Sequence, residues 1–156
     1  MPFALTVALP RLDGKATEIY TFKDGTLAKT ISPRNLNPVG PSRAPGDDIA
    51  SLVLGKDPSD IVLIAAAANP LRRVMGDTAF EKARDIALGG VQSPAAQSGE
   101  FVVGTVCVPH MCGSDYTTWV FDHSGRVWAS LVEDGKLTFY GDPSAAVRSL
   151  LNPGQE

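Results

Sequence analysis

Two cysteines, the whole complement of the chain, stand at positions 107 and 112 with Val108, Pro109, His110 and Met111 between them. Three chemistries fit such a set. Thiolates from Cys107 and Cys112 with the His110 imidazole, and a thioether from Met111, suit a soft metal such as copper(I) or zinc. That set lacks a fourth strong ligand for structural zinc. A redox thiol pair fits less well, because the spacing is not Cys-x-x-Cys and no Lys or Arg adjoins either thiol to favour its thiolate. In an oxidising compartment the same pair closes a disulfide. The disulfide is the leading reading, with the metal site and free thiols as its alternatives. Closing so short a ring contributes about 2 kcal/mol by the loop-closure relation. Its greater consequence would be local, since a stapled loop has fewer conformations to lose when it binds.

His110 carries no sign of catalytic company. General acid–base work needs a partner to orient the imidazole, yet its neighbours are Pro109 and Met111, and the nearest acid in sequence is Asp115. No GxSxG or HExxH pattern occurs. The chain is therefore read as a non-enzyme without a cofactor, its imidazole presented for donation to an acidic group of a partner. His123, within Asp122-His123-Ser124-Gly125, is an exposed turn residue. Asp24-Gly25 and Asp134-Gly135 are turns, Asp47-Asp48 a solvated loop or helix cap, and Trp119, Trp128, Phe139 and Tyr140 packing residues. Gly89-Gly90 follows a helix instead of opening one, so it is no phosphate loop.

The rest of the chain must position that loop. At 156 residues, with 44% apolar and 20% charged residues, it is read as a single domain spanning 1–156 with a core of its own. Net charge is −3; residues 1–78 carry nine Lys/Arg against eight Asp/Glu, and 79–156 carry five against nine. Without a basic stripe, a nucleic-acid partner is excluded from the reading. No window approaches the roughly 18 apolar residues of a membrane span. The apolar run at 3–9 has no basic flank before it and is followed by Arg11 and Asp13, so it reads as a strand and not as a leader.

Residues 17–22 and 26–31 alternate as a hairpin around Lys23-Asp24-Gly25. A proline-rich loop fills 32–48. The apolar runs 49–54 and 61–67 favour strand by length and β-branching, with helix open for the second. Asn69-Pro70 reads as a helix cap followed by proline at the first helical position. Gly76 interrupts that helix, which resumes to Gly89-Gly90, where a left-handed residue is expected. Strands at 101–106, 116–121, 126–132 and 136–140 form a meander, with the cysteine loop at the tip between the first two. A last helix spans 144–151, capped by Asp142-Pro143. The expected class is α+β: a central antiparallel sheet flanked by helices.

Four stretches in this order carry a resemblance: Gly89-Gly90-Val91-Gln92-Ser93-Pro94, Phe101-Val102-Val103-Gly104, the loop Cys107-Val108-Pro109-His110-Met111-Cys112-Gly113, and residues 140–151 ending Arg148-Ser149-Leu150-Leu151. Together they resemble the inhibitor of vertebrate lysozyme family, whose loop reads Cys-Lys-Pro-His-Asp-Cys, over about 88–152; residues 1–60 match nothing in it. The resemblance implies a periplasmic or secreted bacterial inhibitor whose disulfide-closed loop, Cys107 to Cys112, enters the cleft of a C-type lysozyme or another peptidoglycan-cleaving glycosidase. His110 would then meet the two catalytic carboxylates. Val108 and Met111 stand where the family has lysine and aspartate, which makes this tip more apolar. A soft-metal protein using Cys107, His110 and Cys112, and a diverged module without inhibitory activity, are the competing readings. A homodimer is left open.

Overall fold

The computed structural model describes residues 4–11 and 15–153. Phe3, expected to begin the first strand, and Asp13 lie outside the described residues. The chain divides into two compact units, 1–36 and 37–156.

The first unit is a three-stranded antiparallel sheet of β1 (Ala4–Pro10), β2 (Ala16–Lys23) and β3 (Thr26–Pro33), with β2 in the middle. Asp24 and Gly25 close the β2–β3 hairpin with φ of 51° and 78°. Two consecutive positive φ values give a turn whose twist matches that of the flanking strands.

The second unit holds the cysteine loop. Its helices are α1 (Ile49–Val53), α2 (Pro58–Ile61), α3 (Ala65–Met75), α4 (Asp77–Gly89) and α5 (Ala145–Leu151). Its strands are β4 (Val91–Gln92), β5 (Ala96–Ser98), β6 (Phe101–Cys107), β7 (Tyr116–Phe121), β8 (Val127–Glu133) and β9 (Lys136–Tyr140). They form an antiparallel sheet in the order β4-β6-β7-β8-β9, and β5 also pairs with β6. The fold is α+β, as the sequence led us to expect.

The sheet is covered on both faces. Val102, Val106, Trp119, Phe121, Val127, Ala129 and Leu131 face a layer built from Ile61, Leu71, Phe80 and the alanines of α3 and α4. On the other side Val120 and Trp128 pack on Val147 and Leu151 of α5, with Phe101 standing edge-on to Trp128 at 6.0 Å. β7 is consequently buried at every residue, whereas β6 alternates. Burial on both faces removes water from each side and holds the strands that flank the loop.

Several expectations are corrected. Residues 49–54 form a helical turn, because Asp48 caps α1: its carboxylate accepts the Ser51 amide at 3.0 Å. Residues 61–67 are helical at both ends, joining the close of α2 to the start of α3. Ala65, Ala66, Ala67 and Ala68 are all buried, and such small side chains let a helix lie close against a sheet. Asn69-Pro70 is no helix start, since α3 begins at Ala65 and Pro70 lies inside it; Pro70 brings no N–H for the carbonyl of Ala66, so one rung is missing. The last helix is capped by Ser144, whose hydroxyl accepts the Val147 amide at 3.4 Å, and not by Asp142-Pro143. Gly90 has φ −88° and is not left-handed. A Cβ there would lie 2.5 Å from the carbonyl oxygens of Cys107 and Ile86 and from Val106 Cγ2, so the glycine permits a close approach.

Candidate functional site

β6 ends at Cys107 and β7 begins at Tyr116, and these two residues are the last register pair of the ladder. The Val108 amide adds one further rung, donating to the Asp115 carbonyl at 2.9 Å. Beyond it, Cys107 and Cys112 are joined by a disulfide with their Cα atoms 4.8 Å apart. Neither sulfur can then serve as a thiolate, so the soft-metal reading loses its two strongest ligands. Among the described residues, no three His, Cys, Asp or Glu side chains converge as a metal site would require.

The backbone makes two successive turns, the first inside the ring and the second leading out of it. The Met111 amide donates to the Val108 carbonyl at 2.9 Å, with Pro109 second and His110 third in the turn. Proline at the second position and φ of +65° at the third are the marks of a type II turn. The Met111 carbonyl then accepts the amides of Ser114 and Asp115 at 3.0 and 2.8 Å. Both turns hinge on the backbone of Met111, so the residue type at 111 is open to change without loss of the loop.

His110 therefore stands at the apex, exposed, in a backbone conformation that L-residues disfavour. Among the described residues no side chain hydrogen-bonds its ring. Asp115, the nearest acid in sequence, is committed elsewhere. One carboxylate oxygen accepts the Ser114 hydroxyl at 2.7 Å and the other the Asp134 amide at 3.2 Å. The Gly135 amide donates to the Ser114 carbonyl at 2.9 Å. Asp115 and Ser114 thus brace the loop against the β8–β9 turn and leave the imidazole unengaged. Sequence reasoning missed this brace; an Asp-Gly turn one strand away from an aspartate was its only signal.

Two exposed apolar side chains lie at the loop and its base. Met111 is 43% exposed, and Val91, paired with Cys107 across the β4–β6 ladder, is 57% exposed. The second histidine belongs to another place: His123 Nδ1 lies 2.8 Å from the Asp48 carboxylate. The amide and hydroxyl of Ser51, with His123 beside them, hold Asp48 below the ordinary carboxylate value. His123 is the exposed turn residue expected, with a partner that the sequence did not reveal.

Two clefts of about 240 and 250 Å³ share Pro70, Arg73 and Gly125, and neither includes a loop residue. A stapled convex tip on a sheet buried from both sides suits a domain that offers itself to a partner better than one that receives a small substrate. The chain belongs to the inhibitor of vertebrate lysozyme (Ivy) family, whose pattern matches residues 66–154. The match begins in α3, upstream of the segment 88–152 in which the sequence resemblance was seen. No curated protein and no solved structure matches the chain. Membership supports a lysozyme-inhibitor role in general, makes lysozyme the class of partner, and is consistent with a chain that performs no reaction of its own. No helix among the described residues is long and apolar enough to cross a membrane.

Proposed function

We propose that this chain inhibits a C-type lysozyme or a related muramidase by inserting the loop of Cys107, Val108, Pro109, His110, Met111 and Cys112 into the active-site cleft. The observation that carries the reading is His110: an exposed imidazole held at a turn apex by positive φ, with no partner of its own among the described residues. Such enzymes work with two carboxyl groups about 5 Å apart, one a protonated acid and the other ionised. An imidazole between them can hydrogen-bond to both through its two ring nitrogens. It would occupy the space that the scissile glycosidic bond needs.

The rest of the loop supports that role. The Cys107–Cys112 disulfide and Pro109 reduce the conformations lost on docking, which lowers the entropic penalty of association. A structural disulfide persists in oxidising compartments, so the proposed home is the periplasm or the exterior of the cell. Val108 and Met111 give the tip no charge with which to meet an acidic cleft, so the target extends to other peptidoglycan-cleaving glycosidases.

Clearing of a peptidoglycan suspension tests the mechanism, with a C-type lysozyme, other muramidases and a lytic transglycosylase assayed in parallel. Wild type is expected to slow at least one of them. His110→Ala should weaken that inhibition about 100-fold, the scale of losing a central charge-assisted contact. Equal inhibition by wild type and variant would remove His110 from the mechanism. No effect of wild type on any of the enzymes would sink the mechanism and leave the diverged module without inhibitory activity.

A further inference from the structure

The strands of the first unit interleave two kinds of residue, and their register sorts them onto opposite faces. Residues directly paired across antiparallel strands point to the same side. One face is therefore a grid of three rows: Leu5–Phe22–Leu27, Val7–Tyr20–Lys29 and Leu9–Glu18–Ile31. The other face carries Thr6, Ala8, Thr17, Thr21, Ala28, Thr30 and Ser32, with Ile19 as its one large apolar residue. On the grid face Leu5, Val7, Leu9, Phe22, Leu27 and Ile31 are between 42% and 65% exposed. The only described residue of this unit whose apolar side chain is buried is Ala16. Apolar area left in water is unfavourable, so covering this face would stabilise the sheet further.

The polar members of the grid say what kind of cover fits. Glu18 accepts the Tyr20 hydroxyl at 2.6 Å and pairs with Lys29 at 3.0 Å, and the Lys29 ammonium stands 5.5 Å from the centre of the Tyr20 ring. Glu18 and Lys29 pair within one copy, so neither asks for a counter-charge from a partner. A strongly charged partner, nucleic acid included, would gain little there. The complementary surface is apolar, flat and of the same dimensions, and the face itself has those properties.

We propose that residues 4–33 form a self-association sheet, in which the Leu5–Val7–Leu9, Tyr20–Phe22 and Leu27–Ile31 face packs on the same face of a second copy. Sheets stack at about 10 Å with inner side chains interdigitating, and identical faces related by a two-fold axis are self-complementary. Three strands at about 4.8 Å spacing, each of seven or eight residues rising about 3.3 Å, project about 350 Å². With side-chain relief, two such faces together remove on the order of 1,000 Å² from water, the lower end of specific interfaces. The dimer is therefore concentration-dependent.

Light scattering on the size-separated full chain, over a wide concentration range, tests the proposal. The wild type should approach twice the chain mass at high concentration and fall to the single mass on dilution. Val7→Glu puts an unpaired charge on the grid face and should give the single mass throughout. Thr6→Glu puts the same charge on the opposite face of the same strand and should behave as wild type. A wild type that stays monomeric at every concentration, or a Val7→Glu protein that still dimerises, would overturn the proposal. So would equal disruption by Val7→Glu and Thr6→Glu, because it would point to folding and not to the face. A cysteine introduced for Tyr20, at the centre of the grid, supplies a readout that needs no loss of mass. It should cross-link two copies on mild oxidation, while Thr21→Cys on the other face should not; equal cross-linking from both positions also counts against the face. None of these outcomes depends on whether the His110 loop inhibits an enzyme.

Discussion

Two chain reversals lie side by side at one end of the larger sheet and meet the same backbone demand with opposite residues. The β8–β9 turn uses Asp134 and Gly135, with φ of 51° and 76°, directly after the register pair Glu133 and Lys136. The β2–β3 turn in the smaller unit repeats that solution with Asp24 and Gly25. At both hairpins the chain puts aspartate and glycine at left-handed positions, the residues that tolerate them best. At the tip of the neighbouring loop the same φ sign falls on His110. Glycine there would be less strained but would carry no imidazole. Strain of this kind persists when the surroundings over-determine it, and residues that carry it cluster at functional sites. The surroundings here are the disulfide, the Met111 turns and the Asp115 brace.

The comparison can be broken most severely from below. Gly90 lies where the end of α4 meets the carbonyl of Cys107, and a methyl group there would collide with two backbone oxygens and Val106. Because backbone cannot rotate aside, Gly90→Ala is expected to destabilise the protein by about 3 kcal/mol, in the range of overpacked cores. Denaturant unfolding measures it. A loss comparable to the few tenths expected of an exposed glycine would mean that α4 does not clamp the base of the loop.

Removing the staple comes next. Replacing Cys107 and Cys112 together with alanine should lower stability by about 2 kcal/mol from the lost ring closure. Inhibition should fall further than stability explains, because the released loop must be ordered again on docking. The β8–β9 turn has no covalent staple, so thermal unfolding in reducing buffer should reproduce the loss in wild type and leave the double variant unchanged. Inhibition that survives reduction intact would show that hydrogen bonds alone hold the tip.

How much of this was legible from the residues follows from how local each signal is. The meander strands were placed within a residue or so, because Asp134-Gly135 and the 122–125 cluster punctuate alternating runs. The loop was legible because its unusual residues are contiguous. Residues 49–54 were misread because a short apolar run looks alike as a buried strand or a buried helical turn; the deciding bond, Asp48 to the Ser51 amide, is a cap that the run itself does not contain. Gly90 was read as a helix terminator when its reason is the close approach of β6 at Val106 and Cys107. The Asp115 brace joins groups 19 residues apart, and no periodicity announces such a contact. The apolar alternation in β1–β3 was visible, but which residues share a face depended on the register.

The smallest effect separates strain from use most directly. Replacing His110 by glycine keeps the turn and relieves the positive φ. The left-handed conformation costs an L-residue about 1–2 kcal/mol, and the greater freedom of glycine in the unfolded chain returns about 0.4–1 kcal/mol of that. His110→Gly should therefore be more stable than wild type by about 0.5–1 kcal/mol and should lose inhibition as fully as His110→Ala does. Gly135→Ala makes the mirror change at φ +76° and should be less stable by about 1 kcal/mol with inhibition little altered. Chemical denaturation and the clearing assay, run on both variants, compare the two reversals directly. A destabilised His110→Gly would mean that the imidazole contributes to the fold of the loop, and its exposure would then be no sign of use. A stabilised His110→Gly that still inhibits would leave the strain at position 110 without a function. Stability gained and inhibition lost by one substitution is the outcome that ties the backbone outlier to the chemistry of the imidazole.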